Sequence, residues 1–361
     1  MLTDRQKNVL DFIIEYQKEH ETSPTIQEIS EHIGVKSSAT THQHLEALED
    51  RGFIKRQKGL TRAIEVTDFA KKAGESIVNI EKMETFAPKV NIDKIINTII
   101  KGDALELMGS LPDQSIDLII ADPPYNLSKG MELKLGSGSL KGTGGDWSKV
   151  MQTWDDYTLV SYIQFTEKWL KEAKRILKPT GSMWVFGTYH NTGIINTLMQ
   201  LNDIEIINEV VWYKRNAFPN LAGRRLTASH ETLLWAHSGK KRKYNFNYEY
   251  SKQYSDKSDG LKLQGKQMRT VWDIPNNKEK SETSLGKHPT QKPLKILKRI
   301  IGLSSDEGNI VLSPFSGSGS ECVAAKMTSR NYIGFELEDE FVNLSRLRLN
   351  SALTQIQEKL L

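Results

Sequence analysis

The sequence predicts an α/β chain in two units: a small amino-terminal group of three helices with a hairpin, and a larger unit built on a parallel, helix-covered sheet. Three observations predict it. Residues 1–67 show helical periodicity that closes in a hairpin pattern. Beyond residue 92, apolar runs of strand length alternate with helical segments, and two of those runs end in the turns Asp122-Pro123-Pro124-Tyr125 and residues 314–320. With 361 residues the chain can build about two or three cores without disulfide staples. Hydrophobic residues at 38% and charged residues at 26% exclude a disordered, collagenous or coiled-coil chain. No run approaches about 18 apolar residues, and the start MLTDRQKNVLDF lacks the apolar centre of a signal peptide. A cytoplasmic location with no membrane partner is therefore expected. Cys322 is the only cysteine, which excludes a disulfide framework and a cysteine-based zinc site, and no metal is expected.

In the first unit, Thr3 is placed to cap a helix in which Val9, Leu10, Ile13, Ile14 and Tyr16 recur at helical spacing until about His20. Ser23 and Pro24 interrupt it. Thr25 then opens a short helix through Ile26, Ile29 and Ile33 that Gly34 ends, and a turn over 35–38 leads to a third helix closed by Gly52, with Leu45 and Leu48 on its inner side. Phe53 and Ile54, then Ala63, Ile64 and Val66, flank a polar turn and read as a two-stranded hairpin. That order is a winged helix-turn-helix, whose third helix enters the DNA major groove while wing residues grip phosphates.

Residues 68–91 have weak periodicity and are expected to be a linker. The larger unit, 92–355, is expected to open with a strand over 95–100, a turn at Lys101-Gly102-Asp103 and a helix over 104–109. A strand over 116–121 stops at Asp122. A helix over 165–177 precedes a turn over 178–181 and a strand over 182–186, and further strands are expected over 209–212, 232–235, 310–312 and 332–336. Helices are expected over 323–327 and from near Asp339. In such sheets ligands sit at the carboxyl ends of the strands.

Asp122, Pro123, Pro124 and Tyr125 display an acceptor, a stiff backbone and an aromatic ring at one such end. Prolines leave carbonyls without competing N–H donors, which suits an exocyclic base amine: Asp122 and the Pro123 carbonyl accept its two protons while Tyr125 stacks on the base. The amine lone pair then leaves ring conjugation and becomes nucleophilic. An ordinary Asp-Pro turn is the plainer alternative. The run Pro314, Phe315, Ser316, Gly317, Ser318, Gly319, Ser320 lets backbone approach a ligand at a helix start, and Glu336 at the end of the next strand suits ribose hydroxyls. Taken alone, these two features fit a dinucleotide fold equally. No G-x-x-x-x-G-K-[ST] run is present, which removes a P-loop ATPase, and the glycine-rich stretch 136–145 reads as a loop.

Residues 1 to about 67, through LTDRQKNVLDFI and SPTIQEISEHIGVKSSATTHQHLEALEDRGFI, resemble the amino-terminal DNA-binding domain of the LexA repressor. That resemblance turns Ser37, Ala39, Thr40, His42 and Gln43 toward bases. Their side chains differ from the repressor's, so its operator preference is not carried over, and a protein-docking module stays open as the alternative. From residue 92 to about 350, the motifs KGDALELM, LIIADPPYN, GGDW, RILKPTGSMWVFG, VVWYKRNAFPN, SHETLLWA, GKQMRTVWDIP, KHPTQKP, LSPFSGSGS and YIGFELEDEF resemble the β class of amino-methyltransferases. The cell-cycle-regulated and HinfI-type adenine enzymes, with the DpnA type nearby, are the most similar groups.

The resemblance implies a Rossmann-like, S-adenosyl-L-methionine-dependent methyltransferase with circularly permuted motif order, plus the winged helix domain. It implies a site-specific, adenine-N6 DNA methyltransferase in which Asp122, Pro123, Pro124 and Tyr125 bind and activate a flipped base. Asp103 and Ala104 would border the cofactor's adenine. His288, Thr290 and Lys292 would border its methionine part, Phe315, Gly317, Ser318, Gly319 and Ser320 would wrap it, and Glu336 would hold the ribose. His230 and Glu231 are expected to support the pocket wall. Two departures stand out: Ser313 replaces the Asp that many relatives carry before Pro-Phe, and the carboxyl-terminal DNA-binding domain of HinfI-like enzymes has no counterpart, its place being taken by the winged helix. N4-cytosine methylation, or a DNA-binding regulator with a degenerate methyltransferase domain, remain alternatives.

Between Lys214 and Arg269 there are thirteen Lys and Arg against four Asp and Glu, interleaved with Phe218, Trp235, Tyr244, Phe246, Tyr248, Tyr250 and Tyr254. A basic run with aromatics suits phosphate neutralisation and base stacking, so residues 214–270 are the candidate target-recognition region, with Arg224 and Arg225 as DNA contacts. A second basic cluster, Arg51, Lys55, Arg56, Lys58 and Arg62, sits on the wing, where Lys55 and Arg56 are expected to reach DNA. The expected partner is double-stranded DNA. A homodimer and a companion restriction endonuclease are open partners that the sequence does not decide, as is the recognition sequence.

Overall fold

The computed structural model describes residues 4–35, 37–50, 52–56, 60–67, 89–125, 158–217, 219, 224, 226–239, 242–254, 265–276, 280–286, 288 and 290–360. Residues 68–88 of the expected 68–91 linker, the loop over 136–145, Arg51, Lys58, Phe218 and Arg225 lie outside them. The chain divides into two compact units, Met1–Phe86 and Ala87–Leu361.

The first unit consists of α1 (Asp4–His20), α2 (Ile26–His32), α3 (Ser38–Asp50) and the antiparallel hairpin β1 (Ile54–Arg56) with β2 (Ile64–Val66). Val9, Leu10, Ile13, Ile29, Leu45, Leu48, Ile54 and Val66 form its core, and the helical spacing of the first six is what puts them on facing sides. Thr25 opens α2 through a reciprocal capping box: its Oγ1 accepts from Glu28 N at 3.2 Å, and its N–H donates to Glu28 Oε2 at 2.6 Å. Such a cap contributes about 1 kcal/mol. The backbone bond from Thr25 also holds the Glu28 carboxyl down at about 2, with Tyr16 and Arg62 assisting. Gly52 ends α3 at φ +75°, in the left-handed region that favours glycine. A buried bond between the hydroxyls of Ser30 and Thr41 at 2.7 Å locks α2 to α3.

The second unit carries an eight-stranded sheet in the order β3-β10-β9-β4-β5-β7-β6-β8. Its strands are β3 (Thr98–Lys101), β4 (Ile116–Ala121), β5 (Leu177–Gly187), β6 (Glu205–Tyr213), β7 (His230–His237), β8 (Val271–Asp273), β9 (Ile310–Ser313) and β10 (Asn331–Glu336). Its helices are α4 (Ala104–Ser110), α5 (Leu159–Ile176), α6 (Thr192–Leu201), α7 (Tyr248–Gln253), α8 (Lys280–Thr283), α9 (Leu294–Ser304), α10 (Ser320–Met327) and α11 (Asp339–Leu360). Period-two alternation divides the sheet residues between two cores. Leu118, Ile120, Trp184, Phe186, Leu233 and Trp235 pack with α9, α10 and α11, whereas Ile119, Ala121, Met183, Val185, Leu234 and Ala236 pack with α5 and α6.

Four expectations are corrected here. The sheet is mixed rather than parallel, because β7 runs antiparallel to both β5 and β6. The described residues between Tyr213 and His230 include no crossover helix, so the chain returns beside β6 in the opposite direction. The first strand starts at Thr98, not at Ile95: a 3-10 turn (Ile92–Lys94) precedes it, and Asn97 at φ +63° kinks the chain while its N–H donates to the Tyr332 carbonyl at 2.7 Å. Residues 178–181 belong to β5 instead of forming a turn, and the register shift opposite Ile116 and Leu118 accommodates them. Finally, Trp235, Tyr244, Phe246 and Tyr250 do not form a stacking surface for bases. Trp235 lies in the core, stacked on Trp184 with centroids 5.1 Å apart, and the other three pack against the same cluster.

Candidate active site

Strands β9 and β4 are parallel neighbours, with Leu312 beside Ile119. From β9 the chain goes through α10 to β10 on one side, and from β4 through α5 to β5 on the other, so the sheet order reverses between them. A crevice opens at the carboxyl ends of strands at such a switch point. Here it receives both chemical turns. One cavity is lined by Asp122 to Tyr125, by Gly102, Asp103 and Ala104, by His288, Thr290 and Lys292, by Phe315 to Ser318 and Ser320, and by Glu336. Residues as far apart in the chain as Gly102 and Glu336 thus share one wall, and every cofactor candidate of the sequence reading except Gly319 lies on it. Gly319 caps α10 at φ +72° and backs onto α11, where an added Cβ would stand 2.8 Å from Ser345.

The Asp122 carboxylate sits between two donors. Lys292 Nζ donates to Oδ2 at 2.6 Å, and the Tyr125 hydroxyl donates to Oδ1. Lys292 also donates to Tyr125 Oη at 2.8 Å and to the Thr290 carbonyl at 3.2 Å. Its ammonium stands 3.7 Å from Glu231, whose other oxygen is bonded to Lys214. Burial pushes the Asp122 acid up while Lys292 opposes it, and burial together with Asp122 drives the Tyr125 phenol well up. Burial by itself would lower the Lys292 value, but Asp122 and Glu231 outweigh it and hold the ammonium charged. Tyr162 fixes the prolines by donating to the Pro124 carbonyl at 3.0 Å, and Asn191 holds Tyr162 at 3.0 Å.

The glycine turn is held from two sides. Glu336 Oε2 accepts from Gly317 N at 2.7 Å and its Oε1 from Glu338 N at 2.9 Å. Arg348 on α11 donates to the Ser318 carbonyl at 2.6 Å, to Ser318 Oγ at 2.8 Å and to Ser320 Oγ at 2.9 Å. The His288 ring lies 3.4 Å from where a Gly317 Cβ would be, so a side chain there would crowd it. Burial and the Lys292 charge push the His288 imidazole down to about 4, which leaves it neutral. Asp103 caps α4 by accepting from Leu105 N at 2.8 Å.

The sequence reading places Lys292 on the cofactor; its ammonium is on Asp122. It misses Glu321 and Arg348 on the cavity wall and at its support, and Tyr162 behind the prolines. The signal for Glu321 is an acid in the first turn of an otherwise apolar helix. In the first unit, Ser37, His42 and Gln43 are exposed and Thr40 is half-buried along α3, and Lys55 is exposed. Arg56 is tied instead to Glu49, through Nε at 2.9 Å and Nη2 at 2.7 Å, because both lie where α3 meets β1. Arg224 is exposed. Part of the basic excess is internally paired, Lys214 with Glu231, Arg215 with Asp273 and Arg242 with Glu205.

A carboxylate-headed Pro-Pro-Tyr turn beside a glycine-rich strand-to-helix turn, at the switch point of a doubly wound sheet, is the arrangement of a nucleotide-handling enzyme. Comparison gives the family. Residues 116–347 match the family model of the DNA methylases, and residues 1–63 match that of the LexA DNA-binding domain. The chain belongs to the DNA methylase family and is a DNA methyltransferase. It is 42% identical over 267 residues to the type II methyltransferase M.HinfI of Haemophilus influenzae, covering 72% of this chain and 70% of that protein. It is 37% identical over 257 residues to the type II methyltransferase M2.LlaDCHI of Lactococcus lactis subsp. cremoris, covering 71% and 90%. The cytosine-N4-specific PvuII DNA methyltransferase shares the fold, with a TM-score of 0.53, 20% identity and coverage of 69% and 85%. Among the described residues no helix is long and apolar enough to cross a membrane.

Proposed function

We propose that this chain methylates adenine N6 at a specific site in double-stranded DNA, with S-adenosyl-L-methionine as donor. The observation that supports it is the Asp122 carboxylate on the cavity wall, beside the Pro-Pro-Tyr backbone that Tyr162 holds in place. The flipped base enters with its amine toward Asp122 and the Pro123 carbonyl, which accept its two N–H bonds and turn the lone pair out of conjugation. Tyr125 covers the base face. For this the amine displaces Lys292 or the Tyr125 hydroxyl from Asp122, the two donors that oppose the upward push of burial on its acid. The methylated nitrogen loses its proton readily, and no residue is required as a strong base.

The cavity fits the donor. Its wall carries the carboxylates of Asp103, Asp122, Glu321 and Glu336 against the ammonium of Lys292, and the neutral His288 adds no charge, which suits a cationic ligand with a ribose. Asp103, Ala104 and Glu336 would hold the nucleoside end; His288, Thr290, Phe315, Gly317, Ser318 and Ser320 would hold the methionyl end. Bound there, S-adenosylmethionine supplies a methyl group made electrophilic by its sulfonium. What these residues contribute is alignment of the amine with that methyl and exclusion of water.

The winged helix, residues 1–67, presents Ser37, Thr40, His42, Gln43 and Lys55 to DNA, and Arg224 and Arg225 within 214–270 serve target recognition. The enzyme works in the cytoplasm. The names of the type II relatives support a companion restriction endonuclease, and a homodimer is the assembly to test for.

The decisive experiment treats unmethylated DNA with the full chain and labelled donor and identifies the product nucleoside by mass. N6-methyl-2′-deoxyadenosine is the expected product; N4-methyl-2′-deoxycytidine would overturn the adenine assignment. Removing residues 1–67 is expected to weaken DNA binding about tenfold or more at physiological salt, since every phosphate left without its cation lowers the affinity and flattens its salt dependence. Unchanged affinity in a filter-binding titration would leave the winged helix without a DNA role.

A further inference from the structure

We propose that Glu321 is a cofactor-binding residue whose carboxylate accepts hydrogen bonds from the α-ammonium at the methionyl end of S-adenosylmethionine. The inference rests on the cofactor reading above and adds a residue to it.

Glu321 lies in the first turn of α10, directly behind the glycine turn, and is 3% exposed while lining the cavity. Its Oε2 is buried with no hydrogen-bond partner. A buried carboxylate oxygen without a donor is costly, and it is uncommon unless a ligand supplies the donor. The neighbouring cations are otherwise engaged. Lys292 bonds to Asp122 and Tyr125, and the Arg348 Nη1 donates to Ser318 and Ser320. The charged groups that act on Glu321 are Asp122 from the end of β4, Lys292 from the segment before α9 and Arg348 from α11. The thiol of Cys322 is its neighbour on α10 and stays protonated. Burial, with Asp122 adding to it, pushes the Glu321 acid up to about 7, so an incoming cation is met by a group that ionises near neutrality.

Two considerations select the ammonium. Asp122 is among the charged groups acting on Glu321, and the cofactor reading above delivers the methyl at Asp122 while giving Asp103 and Glu336 the nucleoside end. A sulfonium has charge but no N–H to donate, and the unmet need of Oε2 is for a donor. The sequence carries Ser313 where the family resemblance expects an acid, and Glu321 supplies an acid to the same turn.

The test is calorimetric titration of the full chain and its Glu321→Gln variant with three ligands: S-adenosylmethionine, S-adenosylhomocysteine, which keeps the ammonium but lacks the sulfonium, and 5′-methylthioadenosine, which lacks both. Glu321→Gln is expected to weaken the first two about tenfold or more, the loss of one charge-assisted bond, and to leave the third unchanged. Retained methylthioadenosine binding shows the variant cavity is folded. Wild-type affinity for S-adenosylhomocysteine is also expected to rise between about pH 6 and about pH 7.5 as Glu321 ionises, below the range where the ligand amine deprotonates, and this rise is expected to shrink in the variant. Loss confined to S-adenosylmethionine would reassign Glu321 to the sulfonium and overturn the proposal. Equal binding of all three ligands by both proteins would also overturn it. If the wild-type chain binds none of the three, the cofactor reading beneath it fails instead.

Discussion

Asp122→Asn is expected to slow methyl transfer by about 10²–10³-fold in single-turnover assays, the size of effect seen when one preorganised partner of a reacting group is removed. The asparagine keeps the shape of the side chain but replaces one acceptor oxygen with an NH2 that can face the incoming amine, so the lone pair is no longer drawn out of conjugation. The fold is expected to survive, because Lys292 retains Tyr125 at 2.8 Å and Glu231 at 3.7 Å. Cofactor affinity is expected to fall far less than the rate, because Asp122 is only one of several carboxylates on the wall of the cofactor cavity. A variant that transfers methyl groups at the wild-type rate would remove Asp122 from the chemistry and, with it, the account of how the amine becomes a nucleophile.

Lys292→Ala is expected to destabilise the second unit by about 3–5 kcal/mol near neutral pH, the cost of removing one partner from a buried ion pair. Lys292 is 3% exposed and compensates Asp122 directly and Glu231 across 3.7 Å. The pH dependence follows from the signs. Burial alone would raise the Glu231 carboxyl, but Lys292 and Lys214 outweigh it and hold it below its ordinary value. Its contribution is therefore present above the unfolded-state value and lost as pH falls through the lower, folded one. Lys292 is held above its ordinary value, so its contribution is present below the unfolded-state value and lost only as pH rises through the folded one. Asp122 runs the other way: burial raises its acid even with Lys292 present, so it costs some stability as pH rises above its unfolded-state value, and it costs more once Lys292 is removed. In the variant the unpaired carboxyls are raised in the folded state and destabilise it increasingly as pH rises above the unfolded carboxyl range. Urea midpoints of the two proteins are therefore expected to differ most near pH 7 and to converge toward about pH 5. Equal midpoints at neutral pH would mean that Lys292 is not what stabilises these carboxylates.

Local signals in the chain fixed the order of elements and both chemical turns. Helical spacing around Val9 to Tyr16, Thr25 followed three residues later by Glu28, and apolar runs stopping at Asp122 or opening onto Gly317 are short-range patterns, and steric and capping rules act within a few residues. What a strand lies beside is a different kind of fact. β7 lies between β5 and β6, antiparallel to both, and that interior place in the sheet sets Trp235 in the core instead of against a base. The ion pair of Lys292 with Asp122 spans 170 positions, and nothing near either residue encodes it. Sequence alone therefore determined that a carboxylate-headed Pro-Pro-Tyr turn and a glycine-rich turn each follow an apolar strand. Only the folded sheet, by setting β4 against β9 and closing α9, α10 and α11 over them, decided which charges each one meets, because electrostatic partners in a dry cavity are chosen by distance in space.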